Sequence, residues 1–204
     1  MKLIYLTLCL VICAFLSTLF PACQVVGTEQ SALFRQVFYS DSMYVPTEAD
    51  TFSFRKVILG QEMGSVKELE SPFRPQHEDE FGLGYEIYLD EQSVLLLDYY
   101  NGRDKDNQDR LVSIVADLIL QDEVETARMY AELEAYLNER YGLSDGSYEK
   151  QIWSGYTSFT NNMEVRLVLN ENKRQIGLNF IDLQTPQTNP LLQKSNTDSL
   201  NIPE

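Results

Sequence analysis

The sequence predicts an α+β fold: two helix-plus-three-stranded-meander units forming one antiparallel sheet, with the helices on one face. Three observations carry this. Runs 85–89, 93–100 and 111–120, and again 148–159, 163–169 and 175–181, are rich in Val, Ile, Leu and Tyr and are separated by short polar connections. Connections of that length allow antiparallel neighbours, whereas parallel strands need a long crossover. Each trio also follows a stretch with helical spacing, at about 62–70 and at 122–141. Helices that each bury one apolar stripe would then cover one face of the sheet.

Taken in order, residues 24–50 are mixed in character and are expected to be a tether followed by an N-terminal segment, in which 33–39 reads equally as a strand or a helical turn. Residues 51–59, TFSFRKVIL, have strand composition and stop at Gly60. In the next stretch Ser65 followed by Glu68 has the pattern of a capping box, and Met63, Val66 and Leu69 share a face. Ser71-Pro72 ends that helix, because a residue before proline is pushed out of helical geometry. Residues 72–84 read as a loop. The run 93–100, SVLLLDYY, is the most strand-like and is expected at the centre of the sheet. Helix 122–141 begins at the capping residue Asp122, has Glu123 and Glu125 in its first turn, and stops at Gly142. Asn161-Asn162 marks a hairpin turn, and the polar, Pro-containing 184–204 reads as a disordered tail. The expected organisation is a signal peptide over 1–22, the tether and N-terminal segment over 23–50, one domain over 51–183 (units 51–121 and 122–183), and the tail.

Residues 3–23, LIYLTLCLVICAFLSTLFPAC, form an unbroken apolar run behind Lys2, with a break at Pro21 and a small residue at Ala22. That is the layout of an export signal, although the run also reaches the roughly 20 residues of a membrane-spanning helix. Phe20-Pro21-Ala22-Cys23 resembles a bacterial lipobox. Ala22 and Cys23 match the usual pattern, while Phe20 and Pro21 fit the looser form of Bacteroidetes-type lipoproteins. The resemblance implies lipidation of Cys23, which would become the mature N-terminus and hold the protein to a membrane. Cleavage near Gly27, ahead of Thr28, or retention of the run are the alternatives.

The chain has 204 residues, 31 acids against 16 Lys and Arg, and a formal charge of −15. This excess disfavours nucleic acid, which needs clustered cations, and disfavours direct contact with anionic headgroups. Of three cysteines, Cys9 and Cys13 lie in the apolar run, so a processed chain keeps Cys23 alone and has no internal disulfide. A single histidine, His77, leaves no ordinary zinc pattern. No Asn-x-Ser/Thr sequon occurs, which leans towards a bacterial origin.

Gly60 and Val66, with Ser65 near them, and the phrase Tyr136-Leu137 to Tyr141-Gly142 followed by Trp153 and two alternating strands, are similar to envelope lipoproteins of the SmpA/OmlA type and to the β-lactamase-inhibitor-like fold they share. In that family the capping Ser or Thr stands elsewhere relative to the Gly. The resemblance implies a binding or scaffolding module in the envelope and implies no catalytic residue.

Candidate sites are few. Asp104, Asp106 and Asp109 have the start of a calcium loop, but the sixth position is Asp109 instead of Gly and the twelfth is Val115 instead of Glu, so a solvated hairpin is expected. His77-Glu78-Asp79-Glu80 reads as a charged surface loop. No HExxH or phosphate loop occurs, and no catalytic residue, cofactor or metal ligand is assigned. Tryptophan and tyrosines in strand runs usually build core and cross-strand pairs. Should the strands expose an aromatic face, Trp153, Tyr99 and Tyr156 are its candidates. The expected function is a non-enzymatic, lipid-anchored cell-envelope protein that binds a protein partner. The alternatives are a soluble secreted inhibitor or immunity-type protein, and a small-ligand carrier or carboxylate-dependent hydrolase with a pocket between helix 122–141 and the sheet.

Overall fold

The computed structural model describes residues 30–43, 53–147, 149–170 and 174–185. The export run, Cys23, the start of the tether and the tail from 186 onward lie outside the described residues. Among the described residues the fold is α+β, with three helices and one open eight-stranded antiparallel sheet. The helices are α1 (Ala32–Tyr39), α2 (Met63–Leu69) and α3 (Glu123–Tyr141). The strands are β1 (His77–Asp79), β2 (Gly82–Tyr88), β3 (Val94–Arg103), β4 (Asp109–Ile119), β5 (Asp145–Ser147), β6 (Lys150–Gly155), β7 (Met163–Leu169) and β8 (Gln175–Asp182). Their order across the sheet is β1-β2-β3-β4-β8-β7-β6-β5, so the run expected at the centre, β3, lies one strand from it.

Each trio of expected strands is a quartet. The additions, β1 and β5, are three residues long, with every residue exposed and no alternation, so the hydrophobic pattern is silent there. Being short and, in β1, charged, they also make poor templates for edge-to-edge pairing. The expected strand at 51–59 is replaced by a tight turn. Arg55 (φ 50°) and Lys56 (φ 66°) both occupy the left-handed region, closing an antiparallel bridge between Phe54 and Val57. Positive φ at both central positions is the type I′ geometry, normally taken by Asn-Gly. Helix α2 starts at Met63 behind Glu62, which makes no side-chain cap, so Ser65 sits inside the helix and does not cap it.

Strand alternation builds the core. Leu95, Leu97 and Tyr99 of β3, Ile114, Ala116 and Leu118 of β4, Ile176, Leu178 and Phe180 of β8, and Val165 and Leu167 of β7 are buried in one apolar cluster. The helices pack on this face through Val66, Met129, Tyr130, Leu133 and Leu137. The domain also reaches back before residue 51. Phe34, Val37, Phe38 and Tyr39 of α1 are buried in the same cluster, so this part of 23–50 is core and not tether. Phe38 meets Phe34 (5.4 Å), Tyr39 (5.3 Å), Phe54 (5.2 Å) and Tyr136 (4.5 Å) between ring centroids. Ser31 caps α1 by accepting from Phe34 N–H, and its hydroxyl donates to Glu132 of α3 at 2.7 Å.

Among the described residues one ion pair lies inside. Arg55 Nε and Nη2 donate to Glu70 at 2.9 and 3.2 Å, with both side chains 1% exposed. Arg55 also donates to Ser40 Oγ (2.9 Å) and to the last carbonyls of α1, at Gln36 and Val37, where the helix dipole favours a cation. Tyr99 O–H donates to Glu70 at 2.5 Å. Burial, and secondarily the Glu70 charge, push the Tyr99 phenol well above its ordinary range, so it is a neutral donor.

Helix α3 follows its expected boundaries closely. Asp122 accepts from Glu125 N–H at 2.8 Å, and Gly142 ends the helix at φ 87°. Asp122→Ala is expected to lower stability by about 1 kcal/mol, read as the urea midpoint at constant m-value.

Candidate functional site

The strand register places four rows of side chains on the sheet face opposite the core. The two central rows are Glu86–Leu96–Asp117–Gly177–Val168 and Gly84–Asp98–Val115–Asn179–Arg166. Tyr88–Val94–Ile119–Gln175 flanks them on one side. No described helix packs on this face. Leu96 is 37% exposed and Tyr88 70% exposed, while Val94, Val115, Ile119 and Val168 are half-buried. The face is therefore a mixed surface, with apolar side chains around two carboxylates on adjacent strands.

Those carboxylates, Asp98 and Asp117, are diagonal neighbours, a relation that separates Cα atoms by roughly 7–8 Å. Glycines flank both, and Gly84 makes room. A Cβ on Gly84 would lie 1.9 Å from the His77 ring and 2.6 Å from Asp98 Oδ1, so His77 lies across the glycine, its Nε2 3.6 Å from Asp98. A Cβ on Gly177 would touch Asp117 Oδ1 at 3.5 Å. Partial burial pushes the Asp98 carboxyl up; His77 pulls it back and Asp117 pushes it further up. Arg166, the guanidinium on the same face, is paired with Glu164. The ionised Asp98 thus costs folding free energy at neutral pH. A carboxyl with a raised folded pKa favours folding below its ordinary value of 3.8, and that contribution is lost as pH rises through the folded value. Asp98→Asn is accordingly expected to melt at a higher temperature than the parent at pH 7, with a margin that shrinks as the pH is lowered towards 3.8.

The aromatic candidates separate. Tyr99 is fully buried and Trp153 is 2% exposed, so neither belongs to a surface. Both point to the core face, Tyr99 to serve Glu70 and Trp153 to donate its Nε1–H to Asn138 of α3 at 3.0 Å. Tyr156 is 79% exposed, beyond the end of β6. It borders a groove of about 510 Å³ whose lining also includes Arg140, Tyr141, Ser154, Gly155 and Ser158. Another groove, of about 480 Å³, has Lys67 in its wall, already bonded to Glu78 at 2.8 Å. Between α3 and the sheet, where the carrier or hydrolase alternative places a pocket, Met129, Tyr130, Leu133, Leu137, Trp153 and Phe180 belong to the apolar core.

His77 to Asp79 form an edge strand, not a loop. Asp104 organises the β3–β4 turn by accepting from the N–H groups of Asp106 and Gln108 at 2.9 Å, and it pairs with Arg110 at 2.9 Å. Among the described residues no helix is long and apolar enough to cross a membrane, and no group of three or more His, Cys, Asp or Glu is arranged to hold a metal ion. Comparison of the chain with protein-family models, with curated proteins and with solved structures yields no match.

Sequence reasoning passed over Asp98 and Asp117. Each sits in an otherwise apolar strand run, and the polar interruption of SVLLLDYY and LVSIVADLIL was the available signal. An acid in a strand flanked by large apolar residues marks the face that the helices leave open.

Proposed function

We propose that this protein is a non-enzymatic, lipid-anchored cell-envelope protein, held by Cys23, whose uncovered sheet face binds another protein. The observation that carries the binding reading is the Asp98–Asp117 pair, kept half-buried among Leu96, Val115, Ile119 and Val168. A fold gains nothing from placing like charges on adjacent strands, whereas a partner bringing Lys or Arg would neutralise them in a partly desolvated setting where the interaction is strongest. The apolar side chains around them supply the area that a specific interface needs. The anchor reading is supported by the lipobox-like Phe20-Pro21-Ala22-Cys23, and a scaffolding role by the plan of two helix-plus-meander units shared with SmpA/OmlA-type lipoproteins.

Two measurements test this. Mass spectrometry of the mature N-terminus should find an acylated Cys23; an unmodified chain starting near Thr28 rejects the anchor. Pull-down from crosslinked envelopes should recover a defined partner with the parent chain and lose it in Asp98→Lys/Asp117→Lys, a variant that should still unfold in one cooperative transition. Equal recovery with that variant rejects the sheet face as the binding surface.

A further inference from the structure

His77 is the only histidine in the chain, and the sheet brings it to the uncovered face. It lies on the edge strand β1 opposite Gly84 of β2, in the same row as Asp98 of β3. Two strand spacings, roughly 9–10 Å, separate β1 from β3. A side chain on the strand between them would stand in the way, and Gly84 has none. A Cβ there would lie 1.9 Å from His77 Cε1, 2.3 Å from its Nδ1 and 2.6 Å from Asp98 Oδ1, so ring and carboxylate meet over the glycine. His77 Nε2 lies 3.6 Å from Asp98 Oδ1. That is too long for a hydrogen bond from a neutral ring and within reach of an ion pair once the ring is protonated.

The charged and titratable groups around the ring come from four strands. On β1, Glu78 is bonded to Lys67 of α2 at 2.8 Å, and Asp79 accepts from the Phe81 and Gly82 N–H groups at 2.8 and 3.1 Å. On β2, Glu86 accepts from Tyr88 O–H at 2.5 Å and from Gln76 Nε2 at 3.2 Å. On β3, burial and then the Asp98, Asp117 and Asp79 carboxylates raise the Tyr100 phenol above its ordinary range, so it stands neutral. On β4 stands Asp117, and Arg166 at the far end of the row is paired with Glu164. Asp98, with Asp117 beside it, is therefore the carboxylate that a charge on His77 meets. Histidine is the side chain whose charge ordinarily changes between about pH 5 and 8.

We infer that His77 gates the sheet face by taking up a proton. With a neutral ring, Asp98 and Asp117 together face a cationic partner. With a protonated ring, His77 holds Asp98 and its own charge repels the partner's Lys or Arg, so docking weakens as the pH falls. The gate rests on the reading of this face as a docking surface.

The test places a photo-crosslinking side chain at Leu96 and irradiates intact envelopes at about pH 7.5 and about pH 5.5, on either side of ordinary histidine titration. The parent should give a roughly threefold weaker adduct at the lower pH, the scale of a partly exposed ion pair. His77→Gln should give the strong adduct at both pH values, and His77→Arg, whose charge is permanent, the weak one at both. Gly84→Ala keeps the histidine but fills the space over which it reaches Asp98, and it should lose the pH response as well. A response that persists in His77→Gln, or a parent adduct equal at both pH values, would overturn the gate and leave the docking surface standing. No adduct from position 96 at either pH would overturn both.

Discussion

Arg55→Ala is expected to lower the unfolding free energy by about 3–5 kcal/mol. The reason is what it leaves behind. Glu70 is 1% exposed, and without Arg55 its carboxylate keeps the hydrogen bond from Tyr99 but loses its counter-charge. The carbonyls of Gln36 and Val37 at the end of α1 lose a donor as well. The variant also keeps the left-handed backbone at residue 55, worth roughly 1–2 kcal/mol of strain, without the contacts that offset it. Urea unfolding should show a lower midpoint at an unchanged slope. The pair itself need not be stabilising relative to apolar packing: Arg55→Met/Glu70→Leu/Tyr99→Phe, which removes every buried polar partner together, should recover most of the loss. A single Arg55→Ala that shifts stability by less than about 1 kcal/mol would show that water reaches Glu70 and that the clamp is not closed.

Phe38→Ala is the second large effect, expected at about 3–5 kcal/mol. Phe38 is fully buried and its ring faces four others, from α1 itself, the 54–57 turn and α3. Its removal opens a cavity between elements held by rigid rings, which relax poorly. The outcome separates two views of the segment before residue 51. A tether would tolerate the change within about 0.5 kcal/mol, whereas a helix that completes the core loses cooperativity across the whole domain. Thermal unfolding followed at Trp153, buried on β6, gives the distinction directly: a lowered midpoint there shows that Phe38 belongs to the same cooperative core, and an unmoved one that it does not.

Much of the sheet was legible because its signals are local. Alternation in MEVRLVL defined β7 at both ends, and Asp122 and Gly142 bracketed α3, since caps act within one turn. The sequence was silent where structure depends on distant partners. Arg55-Lys56 carries no Gly or Asn, so nothing local announces a left-handed turn; the conformation is held by Glu70, Ser40 and the end of α1. Strands β1 and β5 have no apolar pattern because both their faces are exposed. Aromatic residues in strands were the weak point of the site reading. Tyr99 and Trp153 bury their rings and spend their polar tips on Glu70 and Asn138, and Tyr156, past the end of its strand, is the one that faces solvent. Phase in the strand decides which face a residue takes, and the phase became visible with the register: Leu96, Asp98 and Tyr100 point away from the core while Leu95, Leu97 and Tyr99 point into it.

Docking of a protein partner on the uncovered sheet face is the proposal to be tested. Its most direct test places a photo-crosslinking side chain at Leu96, on that face, and separately at Val124, which is 80% exposed on α3, and irradiates intact envelopes. The account predicts one defined adduct from position 96, lost in Asp98→Lys/Asp117→Lys, and none from position 124. A defined adduct from position 124 with none from position 96 would contradict it.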